Sequence, residues 1–170
     1  TDKKFHSLIW GEDFETVIQN YTSIGEVSGT NTDVIISDLK TRIESLNARK
    51  TVRATHPKIL YLSRSGGTAG SGTYVDAAIQ EAGGENIITT PSWHNPDPEF
   101  LVTLKPDLII TSFFEDGYES INAKPLRHRV VAEFIDKHPR LDIPGALWPC
   151  AGPTLIDVAE SIADKLDTLP

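Results

Sequence analysis

Between Lys58 and Leu166, short apolar runs alternate with amphipathic stretches, and this alternation constrains the fold more than any other feature. Lys58 to Ser63 is an apolar run suited to a strand buried on both faces. A glycine-rich turn, Ser65 to Gly72, leads from it into a helix carrying Val75, Ala78, Ile79 and Ala82, which Gly83-Gly84 closes. A second strand is expected over Asn86–Thr90, then a loop from Pro91 to Pro98 and a short helix through Phe100, Leu101 and Leu104. Asp107 to Ser112 is the clearest strand. Pro125 suits a first helical position, ahead of Val130, Val131, Phe134 and Ile135. A short fourth strand is expected around Gly145 to Trp148. The last helix should start near Pro153 and pack Leu155, Ile156, Val158, Ala159, Ile162 and Leu166 inward. This order predicts an α/β fold: a three-layer open parallel sheet with helices on both faces.

The first 52 residues read as helical, which sets residues 1–52 apart from an α/β lobe over residues 53–170. A helix starting near Asp13 carries Phe14, Val17, Ile18, Tyr21 and Ile24 at spacings of three and four, and ends at Gly25 or by Ser28-Gly29. Thr30, Asn31 or Thr32 then caps a second helix. Its stripe is Val34, Ile35, Leu39, Ile43 and Leu46, with Lys40, Arg42, Glu44 and Arg49 on the other face. At about 20 residues and roughly 30 Å it is long for a helix opening a small domain, and suits a strut between two bodies.

At 170 residues the chain is one domain, or one lobe of a larger two-lobed protein. It carries no Met and no signal-like start at Thr1, so a preceding segment is expected. Sixteen Lys and Arg against 24 Asp and Glu leave a net charge of −8, which repels phosphate backbones and argues against nucleic-acid binding. One Cys and five scattered His provide neither a disulfide framework nor zinc-ligand spacing. No run approaches the length needed to span a bilayer.

Open parallel sheets bind ligands beyond the carboxyl ends of their strands. Here those positions hold Ser63, Arg64 and Ser65, then Trp93, His94 and Asn95. Phe113, Phe114, Glu115 and Tyr118 follow the third strand, and Trp148 and Cys150 the fourth. The aromatics form a candidate stacking surface for a flat or bulky ligand, or alternatively fold back onto helix ends as peripheral core. The glycine-rich turn lacks the Gly-Lys-Ser/Thr ending of a P-loop and the GxGxxG spacing of a dinucleotide site. A tight turn that lets the helix pack close to the sheet accounts for its glycines. Cys150 lies before a helix start, where a thiol pKa falls, but nucleophilic catalysis would need His94 as its base. Asp97 and Glu99 lie near His94 and could form an acid/base or metal cluster. Helix capping is the default for Asp97, and Glu99 should point outward.

The stretch PKILYLSRSGGTAGSGTYVDAAIQEAGGENII, followed after a loop by DPEFLVTLKPDLIITS, resembles the C-terminal lobe of class III periplasmic binding proteins. These are the solute receptors of ABC importers for ferric siderophores, haem and cobalamin. Upstream, YTSIGEVSGTNTDVIISDLKTRIESL resembles the segment leading into the rigid inter-lobe helix of that family. ALWPCAGPTLIDVAESIADKL resembles its closing strand and helix. The resemblance implies a receptor rather than an enzyme, with no catalytic residue and no cofactor beyond a metal-chelate ligand, in the periplasm. It implies ligand contacts at Arg64, Trp93, His94, Phe113, Phe114, Tyr118 and Trp148, and docking on the permease through Glu99. Arg64 could pair with a ligand carboxylate or with the oxygen donors of a ferric chelate, and His94 or Tyr118 could ligate a haem iron. Full receptors carry an N-terminal lobe ahead of the joining helix, so the resemblance implies that this sequence corresponds to the C-terminal lobe alone. Two further readings stand beside it: an enzyme using Cys150 or the His94/Glu99 loop, and a stand-alone interaction domain.

Overall fold

The computed structural model describes residues 6–63, 65–113, 129–148 and 152–169. Two helices come first, α1 (Phe14–Ser28) and α2 (Asp33–Val52). There follow β1 (Lys58–Ser63), β2 (Thr68–Ala69), α3 (Tyr74–Glu81), β3 (Glu85–Asn86), β4 (Trp93–His94) and α4 (Pro98–Leu101). The remaining elements are β5 (Leu108–Phe113), α5 (Arg129–Asp136), β6 (Arg140–Pro144), a 3₁₀ turn at Gly145–Leu147, and α6 (Leu155–Leu166). The main sheet has the order β3-β1-β5-β6, and every pairing in it is parallel. β2 and β4 form a separate antiparallel pair that registers Thr68 with His94 and Ala69 with Trp93.

Alternation along the two central strands separates two cores. Ile59 and Tyr61 of β1 and Leu108 and Ile110 of β5 face α3 and α6, and share that core with Phe14, Val17, Leu39 and Leu46 of the first two helices. Leu60, Leu62 and Ile109 point the other way, onto Leu101 of α4 and Val131, Phe134 and Ile135 of α5. Strands with apolar side chains on both faces are buried between helical layers, as the expected three-layer sheet requires.

The helix signals at the start act as the sequence suggests. Asp13 caps α1, its carboxylate accepting from the Thr16 backbone N–H at 2.8 Å while the Thr16 hydroxyl receives the Asp13 N–H. Gly29 closes α1 in the left-handed conformation at φ +70°. Gly83, at φ +89°, ends α3, and Gly84 lies so close to Ile59 that a Cβ there would fall 2.4 Å from its side chain.

Four expectations are corrected. The second strand does not extend to Thr90. The Asn86 side chain accepts the Ile88 N–H at 3.1 Å and turns the chain out of the ladder after two residues. The fourth strand is Arg140–Pro144, and Gly145–Leu147 is a 3₁₀ turn. Arg140 and Asp142 interrupt its apolar pattern, because an edge strand buries little besides Ile143. Arg42 and Arg49 of α2 are not on an outer face: both reach carboxylates of the α6 segment. Val34 (77% exposed), Ile35 and Val130 stand in solvent rather than in the core.

Candidate ligand-binding rim

The glycine-rich segment is built by close backbone approach. The Gly66 N–H donates to the Ser63 carbonyl at 2.9 Å and the Ser63 N–H to the Gly67 carbonyl at 2.8 Å, so the chain reverses at once after β1. Thr73 caps α3 through the Asp76 N–H, and its own hydroxyl donates to the Gly70 carbonyl. The Gly70 N–H donates to the Ser92 carbonyl at 2.8 Å, and a Cβ on Gly70 would lie 1.7 Å from the Thr90 carbonyl oxygen. These glycines therefore admit the 89–92 loop, which sets Trp93 and His94, besides letting a helix approach the sheet. Ser92 itself takes φ +76°, a conformation non-glycine residues rarely adopt.

Asn86 holds this corner together. Its side-chain NH₂ donates to the Ala69 carbonyl and to the Asp76 carboxylate, both at 3.0 Å, while its oxygen accepts from Ile88. The second Asp76 oxygen accepts from Gln80 and from the Gly72 N–H. A buried polar cluster with each of these groups partnered is rigid, because breaking one bond strands another group.

On this support sits a closed set of four rings at the carboxyl ends of the strands. Tyr61 meets Trp148 edge-on at 5.2 Å and Trp93 at 6.1 Å. Tyr74 meets Trp93 at 5.4 Å and Trp148 at 6.4 Å. Each tryptophan thus touches both tyrosines, in the tilted and edge-to-face geometries that aromatic quadrupoles favour. Burial pushes the Tyr61 phenol up to about 12, against a smaller opposing effect of the Ser112 hydroxyl.

The sequence-derived site residues separate on this frame. Trp93 is 46% exposed and forms the outer surface of the ring set. Trp148 is 3% exposed: of the two sequence alternatives for it, peripheral core is the one found, and it supports Trp93 from beneath through the tyrosines. His94 lies beside Trp93, but its Nε2 faces the Pro91 and Thr90 carbonyls at 2.8 and 3.1 Å. Carbonyl oxygens only accept, so Nε2 carries the proton and in a neutral ring only Nδ1 keeps a lone pair. Asp97 occupies the N-cap position of α4 but makes no capping bond, contrary to expectation. Glu99 is exposed in the first turn of that helix, pointing outward. Phe113 ends β5, opposite Pro144 of β6. Arg64, Phe114, Glu115, Tyr118 and Cys150 lie outside the described residues.

Sequence reasoning missed Tyr61 and Tyr74 as site residues. The signal for Tyr74 was its place at the first turn of the helix after the glycine-rich segment. Tyr61 read as strand filling, since a run that is apolar throughout does not show which residues reach the rim. A cavity of about 310 Å³ opens beside His94, lined by Thr68, Ile87, Ile88, Thr90, Asn95, Pro96 and Phe100 among others. Among the described residues no group of three His, Cys, Asp or Glu side chains could hold a metal ion. Nor is any helix among them long and apolar enough to cross a membrane.

No family model matches the chain. A cobalamin-binding protein of Halobacterium salinarum is 28% identical over 111 residues, which cover 61% of this chain and 30% of the relative. The chain therefore spans less than a third of that relative's length. A periplasmic haem-binding protein from Pseudomonas aeruginosa superposes with a TM-score of 0.76 at 20% identity, over 97% of this chain and 64% of the other. A periplasmic solute-binding protein from Veillonella parvula gives 0.73 at 21% identity, over 94% of this chain and 51% of the other. A periplasmic haem-binding protein from Roseiflexus in its apo form gives 0.69 at 17%, over 90% and 64%. These relatives are named as binding proteins, and nearly the whole of this chain has the fold of those periplasmic haem-binding and solute-binding proteins.

Proposed function

We propose that this chain is the ligand-binding part of an ABC-importer solute receptor. It works outside the cytoplasm, in the periplasm where one exists, and it binds its cargo without converting it. The cargo class is a metal chelate of the haem, cobalamin or ferric-siderophore kind, delivered to the importer's permease. In this reading residues 1–52 carry the connection to an N-terminal lobe, residues 53–170 form the C-terminal lobe, and the second lobe closes over the rim. The greater length of the solved relatives is in line with that arrangement.

The observation that carries the reading is Trp93. A large aromatic ring left 46% exposed, yet held by two tyrosines at the carboxyl end of a parallel sheet, is a ready platform for a flat ligand. Among the described residues, His94 Nδ1 is the ring nitrogen beside it whose lone pair is left for a metal or a hydrogen-bond donor.

The test is a tryptophan-quenching titration with haemin, cyanocobalamin and several ferric siderophores, on the native sequence and on Trp93→Ala. One ligand class should quench saturably, and Trp93→Ala should weaken its binding by about tenfold, the scale of a lost stacking contact. Absence of saturable quenching by all three classes would sink the chelate assignment.

A further inference from the structure

We propose that His94 and Ser92 are positioning residues for Trp93, together latching the 89–92 turn so that the indole is presented before any ligand arrives. Every carbonyl of that turn has a donor. The Ser71 hydroxyl donates to the Thr89 carbonyl at 2.9 Å. His94 Nε2 serves the Thr90 and Pro91 carbonyls at 3.1 and 2.8 Å, and the Gly70 N–H serves that of Ser92 at 2.8 Å. The Ser92 N–H donates in turn to the Ser71 carbonyl at 3.1 Å, so the residue ahead of Trp93 is held on both sides. Residues 89–92 are all exposed, and water would satisfy their carbonyls equally well. These bonds therefore add little to solvation. What they remove is the freedom of the turn.

Two features single out His94 and Ser92. β4 consists of Trp93 and His94, and neighbouring side chains of a strand point to opposite faces. Trp93 accordingly meets the tyrosines while His94 lines the 310 Å³ cavity, and the imidazole acts on Trp93 through the backbone they share. Its bonds reach back three and four residues and close the turn around Pro91, which brings no N–H of its own. Ser92 holds φ +76°, a conformation serine rarely adopts, and strain of that kind persists only where the surroundings enforce it. An aromatic ring fixed beforehand loses less freedom on binding than one its ligand must order, so the latch raises affinity through Trp93 alone. This inference rests on the receptor reading only for the use made of Trp93.

The experiment is ¹⁹F NMR of the protein labelled with 5-fluorotryptophan, its resonances assigned through Trp10→Phe, Trp93→Phe and Trp148→Phe. In the ligand-free protein, His94→Ala should broaden or shift the Trp93 resonance. Those of Trp10 and Trp148 should stay in place, showing that the fold survives. His94→Gln, whose side-chain NH₂ can serve the same carbonyls, should restore the Trp93 resonance. Ser92→Val attacks the latch through the dihedral angle and should displace that resonance too, because a β-branched side chain at positive φ is strained. In the quenching titration with haemin, cyanocobalamin and ferric siderophores, the ligand that binds the native sequence should bind His94→Ala about fivefold more weakly and His94→Gln within about twofold. A Trp93 resonance unmoved in both His94→Ala and Ser92→Val would overturn the proposal. So would a His94→Gln variant that binds as weakly as His94→Ala, which would assign His94 a direct contact with the ligand through Nδ1. The NMR arm needs no ligand, so an absence of quenching would sink the receptor reading while the Trp93 resonance still decides the latch.

Discussion

Arg42 of α2 grips Glu160 of α6 with two hydrogen bonds, Nε at 2.8 Å and Nη2 at 2.5 Å, and the same Nη2 reaches Asp157 at 2.5 Å. Two turns on, Arg49 repeats the arrangement with Asp164 and Asp167, and Arg53 adds a contact to Asp167. The three arginines fasten the long helix to the last one alongside the apolar contact made by Leu39 and Leu46. Hydrogen bonding to Glu160 raises the Arg42 guanidinium pKa despite partial burial, so its charge is constant over any accessible pH.

Arg42→Met should cost about 1 kcal/mol of stability, since the pair is bidentate yet partly open to water. The loss should shrink in high salt, which screens the Asp157–Glu160 repulsion left behind. Urea denaturation at about 20 mM and about 500 mM NaCl, weak and strong screening, checks both. A cost unchanged by salt would assign the role of Arg42 to packing.

Asp167 gives a pH signature. Its hydrogen bond to Arg49, with Arg53 adding attraction, holds the carboxyl below its ordinary 3.8. The stabilisation is therefore complete above about pH 4 to 5 and fades as pH falls through 3.8 toward the folded-state value. Asp167→Asn should be less stable than the native sequence at pH 6, with the gap closing below about pH 4. A gap as large at pH 3 as at pH 6 would contradict the charge argument.

Tyr61 gives the opposite sign. Its phenol is pushed from 10.0 up to about 12 by burial, so the neutral form stabilises the fold below pH 10 and that contribution is lost as pH climbs toward 12. Absorbance at 295 nm should show a late-ionising tyrosine, and Tyr61→Phe should remove that late step. A step lost on Tyr61→Phe that is centred near 10 instead would mean the ring set is open to water.

Gly70→Ala should be among the most damaging single substitutions in the chain. Its Cβ would meet the Thr90 carbonyl oxygen at 1.7 Å, and backbone cannot swing aside as a side chain can. A loss of about 3 kcal/mol or more is expected, with Trp93 displaced because the 89–92 loop must retreat. Thermal denaturation and the tryptophan emission maximum report the two effects separately. A variant of native stability would show that the loop approaches less closely than 1.7 Å implies.

Much of the fold was legible in the chain because its signals are local. Ile59 to Leu62 and Leu108 to Ile110 are apolar at every position, which only a strand covered on both faces requires. Asp13, Gly29, Thr73 and Gly83 mark helix ends through bonds or dihedral angles confined to a few neighbouring residues. β6 escaped notice because an edge strand buries too little to leave an alternating pattern. The second strand was read too long because Asn86 ends it with a side-chain bond that no periodicity records.

The sequence by itself therefore determined the layers, the order of elements and the rim where a ligand would lie, since hydrophobic period and turn chemistry act over short stretches. It also placed Trp93 and Trp148 near that rim. Only the tertiary structure decided that Trp93 is the exposed ring and Trp148 the buried one. The same holds for Tyr61 and Tyr74, which join the tryptophans across separations of 19 to 87 residues in the chain, and for the arginines of α2 that turn inward to α6. Exposure and partnership depend on which elements meet, and that is a sum of many weak contacts between distant residues rather than a property of any one stretch.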